Sequence, residues 1–319
     1  MNTPAVRFYD LHPPQTDMLH EVLDGLRRTP PMISPKFFYD HRGSELFEAI
    51  TETPEYYPFR TELGLLEKHG EEMATLLGSD GLLIELGSGS SRKIRLLLDA
   101  LQPAAYMPVD ISRDFLLQAA GDLAREYPEL EVHATCADYS RGLKLPWSPE
   151  ELPRAAFFPG SSIGNFEPAQ AQRLLHHVAQ ALGSGGHLLI GVDLQKDHAV
   201  LQRAYNDAAG ITAAFNLNLL ERFNRELNAD FDVEKFAHAA DYNAEAERVE
   251  MHLISRCEQT VAIGEKRLYF AEGEAIHTEN SYKYTVEGFL QLAAEVGFGR
   301  VKTWLDEKKY FSVHCLKVV

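Results

Sequence analysis

Five short apolar segments alternate with helix-like segments in the middle of the chain, and this alternation restricts the possible folds more than any other feature. The apolar segments are LLIEL (82–86), AYMPVD (105–110), EVHATCAD (131–138), AAFFPG (155–160) and HLLIGVD (187–193). Runs of this length are typical of buried strands, and the segments between them have the spacing of amphipathic helices. The sequence therefore predicts βαβ units and a doubly wound, mostly parallel α/β sheet.

The remaining segments divide into a continuation of this sheet and a second domain. VEGFLQLAAEVG, RVKTWLDE and YFSVHCLKV, near the C-terminus, predict a helix followed by an antiparallel strand hairpin. Residues 196 to about 259 read as helices and polar turns, and strand-like sequence begins near Met251. We therefore expect a first domain at 61–195 and 286–319 and a second, α+β domain at 1–60 and 196–285.

Charge and cysteine content exclude several classes of protein. The 319 residues include 31 Lys and Arg against 47 Asp and Glu, a formal net charge of −16. This balance disfavours nonspecific binding to nucleic acid or anionic membranes. No segment approaches the roughly 20 apolar residues of a membrane span, and the N-terminus lacks a signal-peptide pattern. Three widely spaced cysteines are expected as free thiols, and together these features lead us to expect a cytoplasmic protein. No cluster of residues has metal-ligand spacing, so we expect no bound metal.

A glycine turn follows the first apolar strand and is the first candidate binding element. The segment ELGSGSSRK (85–93) contains Gly87 and Gly89 but no third glycine, so the pyrophosphate fingerprint is incomplete. Asp110 ends the next strand, where an acid can accept hydrogen bonds from both hydroxyls of a ribose. Asp138 ends the third strand and can accept from the exocyclic amine of adenine, with Tyr139 beside it.

Acids without a phosphate-neutralising base favour a cationic adenosyl ligand over a pyrophosphate. S-adenosylmethionine (SAM) is such a ligand. The predicted C-terminal hairpin also fits class I methyltransferases, which append a reversed hairpin to a doubly wound sheet. Together these features favour a class I methyltransferase.

Several longer segments resemble one family, the histidine Nα-methyltransferases of ergothioneine biosynthesis. They cover most of the chain from about residue 35 to 285 and are PKFFYDHRGSELFEAIT, PEYYPFRTE, ELGSGSSRKIRLLLDAL, PGSSIGNFEP, RAYNDAAGITAAFN, NRELNADFD and ERVEM. The resemblance implies SAM-dependent transfer of methyl groups to the α-amine of L-histidine. Three successive transfers would give hercynine, with S-adenosylhomocysteine as the second product.

The resemblance also implies which residues contact the two ligands. The methyl donor would contact Gly87, Lys93, Asp110, Asp138 and Tyr139. Histidine would contact Tyr56, Asn165, Tyr205, Glu279 and Ser281, with Tyr39, Gly160 and Met251 nearby. The domain formed by 1–60 and 196–285 would then bind the substrate.

The chemistry of the substrate residues suits those roles. The amide of Asn165 can donate to a carboxylate and accept from an amine, and the phenol of Tyr205 can donate to the carboxylate. Glu279 and Ser281 are two apart in a strand-like segment, so they share a face and can meet the two imidazole nitrogens. Tyr39 and Asn165 are the candidates for orienting the amine, because no strong general base is evident.

Ordinary structural explanations remain open for these residues. Asn165 can cap a turn, Tyr205 can anchor a helix interface, and Met251 can fill a core. Tyr39 and Tyr56 lie in aromatic-rich segments, where most side chains are buried for packing. Gly160 can simply be a turn glycine.

Two other functions remain as alternatives. The same fold can methylate another amino acid or a biogenic amine, which a panel of substrates distinguishes. A non-catalytic regulator would bind SAM without turnover. Methylation of nucleic acid is disfavoured by the charge and by the lack of a basic, aromatic recognition segment. The sequence does not fix an oligomeric state, and a monomer is favoured.

Overall fold

The computed structural model describes residues 6–11, 16–89 and 92–319, so Ser90 and Ser91 of the glycine turn lie outside the described residues. In chain order the strands and helices are β1 (Arg7–Asp10), α1 (Thr16–Leu26), α2 (His41–Thr51), α3 (Tyr57–Leu77), β2 (Leu82–Leu86), α4 (Arg92–Leu101), β3 (Ala105–Asp110), α5 (Arg113–Glu126), β4 (Glu131–Cys136), β5 (Arg154–Phe158), α6 (Pro168–Leu182), β6 (His187–Asp193), α7 (His198–Ala204), α8 (Ile211–Leu227), β7 (Phe236–Asn243), β8 (Arg248–Ser255), β9 (Gln259–Ile263), β10 (Lys266–Phe270), β11 (Ala275–Tyr282), α9 (Val286–Ala294), β12 (Phe298–Leu305) and β13 (Phe311–Val318).

The chain divides into two compact units. The first contains the described residues of 1–12, 58–195 and 282–319, and the second those of 13–57 and 196–281. Beyond the ranges 61–195 and 286–319 expected from sequence, the first unit includes β1, because β1 pairs in parallel with β4.

The first unit is built around an eight-stranded sheet. Its strand order is β1-β4-β3-β2-β5-β6-β13-β12. The strands from β1 to β6 in that order are parallel, whereas β13 is antiparallel to both β6 and β12. This arrangement confirms the predicted doubly wound sheet with a C-terminal antiparallel hairpin.

Both faces of this sheet are covered, as a parallel sheet requires. On one face, Leu83 belongs to a core that includes Leu66 of α3 and Leu97 of α4. On the other face, Ile84 belongs to a core that includes Leu174 of α6. Successive strand residues therefore enter opposite cores, which explains why the predicted strands read as continuous apolar runs rather than alternating ones.

The second unit contains α1, α2, α7 and α8 with two smaller sheets. One sheet has the order β11-β8-β7, and the other is the antiparallel pair of β9 and β10. β7 and β8 pair along their whole length, from Phe236↔Ser255 to Asn243↔Arg248. The expectation of helices and turns was therefore wrong from Phe236 to about residue 250, whereas the strand-like sequence expected from about Met251 does lie in β8. FAHAADYN has weak strand propensity, and its conformation comes from pairing with β8.

Two expectations about the chain as a whole can be compared with this architecture. Cys136, Cys257 and Cys315 are free, which confirms the expected thiols. Among the described residues, the helices are too short or too polar to form a membrane span.

Candidate functional site

The glycine turn and Asp110 form one structural unit at the carboxyl edge of the parallel strands. Gly87 and Gly89 adopt left-handed φ values of 71° and 48°, which glycine adopts without a steric penalty. The amide of Gly87 donates to the carbonyl of Val109 at 2.8 Å, and the amide of Gly89 donates to Oδ2 of Asp110 at 3.2 Å. Oδ1 of Asp110 accepts from the amide of Ser112 at 2.9 Å. The turn therefore holds the Asp110 carboxyl in a fixed orientation.

Burial raises the pKa of Asp110, and the amides of Ser112 and Gly89 partly oppose that effect. Each carboxyl oxygen has a second lone pair beyond the amide that it accepts. Asp110 can therefore accept ligand hydroxyls while the turn keeps its shape.

Asp138 and Tyr139 lie on the neighbouring strand end, after β4. The Asp138 carboxylate accepts from the amide of Ser140 at 3.1 Å and from its hydroxyl, and Arg141 Nε is 3.6 Å away. A Cβ added at Gly87 would be 3.4 Å from Oη of Tyr139, so the phenol lies directly against the glycine turn. The three strand ends after β2, β3 and β4 thus place a turn, two acids and a phenol together.

Lys93 is paired with a buried acid that sequence reasoning missed. Lys93 Nζ donates to Oε2 of Glu62 at 2.5 Å, and Nζ lies 4.6 Å from the ring centroid of Phe59. Oε2 of Glu62 also accepts from the amide of Gly160 at 2.8 Å. Glu62 therefore connects the lysine that follows the glycine turn to the loop that follows β5.

The environment of Glu62 is closely packed. Its side chain is fully buried, and its Oε1 has no hydrogen-bond partner among the described residues. A Cβ at position 191 of β6 would lie 2.0 Å from that Oε1, so Gly191 is the residue that leaves room for the carboxylate. This contact explains a glycine in the middle of a buried strand.

A second buried acid lies at the end of β2. Glu85 is 1% exposed, and its Oε2 accepts from the hydroxyl of Tyr106 on β3. Burial raises the pKa of Glu85 to about 8, against the lowering effects of Tyr106 and Lys93. Glu85 is therefore mainly protonated at neutral pH, which avoids an unpaired charge beneath the glycine turn.

The loop after β5 carries the two remaining candidates of the first unit. Gly160 has a φ of 77°, and Ser161 has a φ of 57°. Ser161 Oγ accepts from the amide of Asp193 at 2.9 Å, which fixes the loop to the end of β6. Asn165 ends a short 3-10 helix, Ser162–Asn165, and is half-buried.

The aromatic candidates of the second unit form a continuous row of rings. Tyr39 contacts Phe47 and Phe215 edge-on, each at 5.9 Å between centroids. Phe47 meets Tyr56 at 6.2 Å, and Tyr56 meets Tyr205 at 6.2 Å. The structure therefore brings Tyr39, Tyr56 and Tyr205 together, although they are widely separated in sequence.

Tyr205 is held at both its hydroxyl and its backbone. Its hydroxyl donates to Oγ of Ser281 at 2.7 Å, and its carbonyl is 2.9 Å from Nε2 of His238. Nδ1 of His238 lies 2.9 Å from Nδ2 of Asn216. Burial lowers the pKa of His238, so the neutral ring donates from Nε2 and accepts at Nδ1. This network orients Tyr205 and leaves its hydroxyl directed at β11.

Met251 and Glu279 are buried on neighbouring strands. Met251 lies on β8 and is 2% exposed, and Glu279 lies on β11 and is 7% exposed. The hydroxyl of Thr278 donates to the carbonyl of Met251 at 3.0 Å, which joins the two strands. A buried carboxyl group such as that of Glu279 suits a polar, hydrogen-bonding ligand group better than an aliphatic side chain.

Sequence reasoning missed several residues that support these candidates. They lie within segments that carried the family resemblance: Glu62 in PEYYPFRTE, Phe47 in PKFFYDHRGSELFEAIT, and Phe215 and Asn216 in RAYNDAAGITAAFN. Attention to every polar or aromatic residue of those segments would have found them. His238 lies on β7, where no strand was predicted.

The sequence of the chain is similar to those of known proteins. A family model described as histidine-specific methyltransferase, SAM-dependent, matches residues 18–318. The chain is 42% identical over 293 residues to a histidine N-alpha-methyltransferase of Mycolicibacterium smegmatis, covering 90% of each chain. It is 41% identical over 303 residues to the histidine N-alpha-methyltransferase of Mycobacterium tuberculosis, covering 92% of each. It is also 32% identical to ergothioneine biosynthesis protein 1 of Neurospora crassa, covering 90% of this chain and 33% of that longer one.

Proposed function

The chain belongs to the family of SAM-dependent, histidine-specific methyltransferases, and from this premise we propose that it transfers methyl groups from SAM to the α-amine of L-histidine. Three successive transfers give hercynine, a step of ergothioneine biosynthesis. The observation that carries the proposal is the pairing of Tyr205 with Ser281, beside the buried Glu279, in a chain whose strand ends carry Asp110 and Asp138.

The residues of the first unit fit the adenosyl part of the donor. Asp110 accepts the two ribose hydroxyls while its amide contacts hold the glycine turn. Asp138 accepts from the adenine amine, and Tyr139 and Gly87 border the ligand. Lys93 pairs with the carboxylate of the donor's methionine part, and Glu62 holds the ammonium group of Lys93 in place. The bound donor supplies an electrophilic methyl group on a sulfonium.

The residues of the second unit fit the side chain and carboxylate of histidine. Glu279 accepts from one imidazole nitrogen, and Ser281 meets the other. Tyr205 donates to the substrate carboxylate when its hydroxyl is released from Ser281. Tyr56 and Met251 form the apolar surroundings that exclude water from the ring.

The chain's contribution to the chemistry is mainly alignment. Methyl transfer needs the amine lone pair in line with the methyl carbon and sulfur, so the amine must be unprotonated. Tyr39 and Asn165 hold and orient the amine, and the carbonyl of Gly160 accepts one of its hydrogens. Because the imidazole and the carboxylate stay anchored, the amine can gain successive methyl groups while the substrate keeps its position.

A substrate panel tests this function. The purified protein is incubated with SAM and, separately, histidine, tryptophan, tyrosine and histamine, and products are measured by mass spectrometry. We expect methylated histidine and little product from the others, because only histidine matches both Glu279 and the carboxylate contact. Turnover of histamine in preference to histidine favours the amine alternative, and binding of SAM without turnover of any substrate favours the regulator.

A further inference from the structure

Two histidines and a glutamate of the second unit form a compact group of possible metal ligands. Glu250 and His252 lie on β8, and His277 lies on β11. Each offers one ligand atom, and the three atoms lie within 4.8 Å of one another. The rings of His252 and His277 meet edge to face at 5.1 Å. These residues are distinct from those that we assign to histidine or to the donor.

Hydrogen bonding does not account for this group. Nε2 of His252 is 3.9 Å from Oε2 of Glu250, which is too long for a hydrogen bond. His277 is only 8% exposed, and its buried Nδ1 has no hydrogen-bond partner among the described residues. A buried nitrogen without a partner is costly, and a bound cation would remove that cost.

Neighbouring side chains hold two of these residues in a ligand-ready form. Nε2 of His277 lies 2.8 Å from Oδ1 of Asn280, so this nitrogen carries the hydrogen and Nδ1 keeps its lone pair. Oε1 of Glu250 accepts from Arg248 Nε at 2.7 Å and from Asn243 Nδ2 at 3.0 Å. Metal-binding histidines and carboxylates in proteins are commonly oriented by such outer contacts.

We propose that Glu250, His252 and His277 bind a zinc ion. Imidazole and carboxylate ligands suit Zn²⁺, whose bonds of about 2.0–2.2 Å place tetrahedral ligand atoms roughly 3.3 Å apart. The present atoms all lie within 4.8 Å of one another, so the longest separation exceeds that spacing by at most about 1.5 Å. Glu250 and His252 are partly exposed, with side chains 18% and 22% accessible, so a water molecule can complete the coordination. Asp241, a negative neighbour of His252, offsets the charge of Arg248.

The position of this site gives the ion a structural role. It joins β8 to β11, the strands that carry Met251, Glu279 and Ser281. A zinc ion bound only to the folded chain stabilises it in proportion to its concentration relative to the dissociation constant. The ion takes no part in methyl transfer, and the zinc proposal does not depend on the proposed function.

Zinc binding is tested with untagged, chelator-treated protein and zinc sulfate alone, without free histidine, which itself binds zinc. Equilibrium dialysis with elemental analysis should give one zinc per chain and a dissociation constant in the micromolar range or tighter. His252→Gln and His277→Gln should each weaken binding at least tenfold, whereas His41→Gln, an exposed histidine of the same unit, should not. Zinc should raise the thermal unfolding midpoint of the wild type and of His41→Gln only.

Failure to bind stoichiometric zinc, or equal binding by wild type and His252→Gln, overturns the proposal. If His277→Gln does not fold, as judged by circular dichroism, the partly exposed His252 decides the test alone. Magnesium serves as a further control. Because it prefers oxygen ligands, any binding of magnesium should be the same in the wild type and in His252→Gln.

Discussion

At the scale of single residues, Glu62 is the side chain on which Lys93, our proposed contact for the methyl donor, depends. It pairs with Lys93 and accepts the amide of Gly160. Removing one partner of a buried ion pair leaves the other charge uncompensated. The position of Lys93, and through it the affinity for SAM, should therefore be sensitive to Glu62.

We expect Glu62→Gln to weaken SAM binding about tenfold or more, because a hydrogen bond to a charged group contributes roughly 1.5–3 kcal/mol. Calorimetric titration with SAM gives the dissociation constant. Glu67→Gln on the exposed side of the same helix is the matched control. Equal affinities in the two folded variants would refute the coupling of Glu62 to the donor.

Glu85 should produce a pH-dependent loss of stability. Its folded-state pKa is about 8, raised chiefly by burial, whereas the unfolded value is near 4.5. Between these values the unfolded chain releases the proton and the folded chain keeps it. The free energy of unfolding should therefore fall as pH rises from about 5 to 8, by at most about 1.4 kcal/mol per pH unit.

Denaturant unfolding at several pH values measures this effect. Glu85→Gln cannot ionise and should lack the component of the slope between pH 5 and 8 that the wild type shows. A wild type and variant with parallel pH profiles would show that Glu85 is not protonated in the folded state.

At the scale of elements, α8 depends on an acid that precedes it. Oδ2 of Asp207 accepts from the amide of Ile211 at 2.8 Å, and Oδ1 accepts from the amide of Thr212 at 2.7 Å. Burial alone would raise the pKa of Asp207, but these hydrogen bonds outweigh it and lower the pKa. The helix that carries Phe215 and Asn216 therefore begins on a charged carboxylate.

Asp207→Ala should lower the free energy of unfolding by about 1 kcal/mol, the usual value of a helix N-terminal cap. Asp207→Asn keeps one acceptor and should lose less. The wild-type advantage over Asp207→Ala should disappear as pH falls through the lowered pKa, because the carboxylate is then protonated in both states. Unchanged stability of Asp207→Ala at neutral pH would contradict this account of α8.

The elements differ in how well the sequence predicts them. β2, β3 and β6 were predicted to the residue because each is an apolar run ended by glycine or an acid. β7 was not, since Ala237, Ala239 and Ala240 have no strand preference of their own and become a strand by pairing with β8. The proposed zinc ligands were missed for a related reason, because strand pairing brings His277 to His252 and no local spacing reveals it.

At the scale of the whole molecule, the net negative charge and the proposed site residues favour the same kinds of ligand. A net charge of −16 disfavours polyanionic ligands, and the acids that we assign to ligands, Asp110, Asp138 and Glu279, suit a cationic donor and an amino-acid substrate. Strand ends could be predicted because parallel strands bring their carboxyl ends to one edge. The aromatic row from Tyr39 to Tyr205 could not, because it depends on tertiary packing.

The central claim is that the α-nitrogen of histidine receives the methyl groups. Tandem mass spectrometry of the product formed with SAM and histidine locates them. The account predicts a product with three methyl groups, all lost with the α-amine as trimethylamine, while the imidazole fragment stays unmodified. Methyl groups retained on the imidazole fragment, or no methylated histidine, would contradict it.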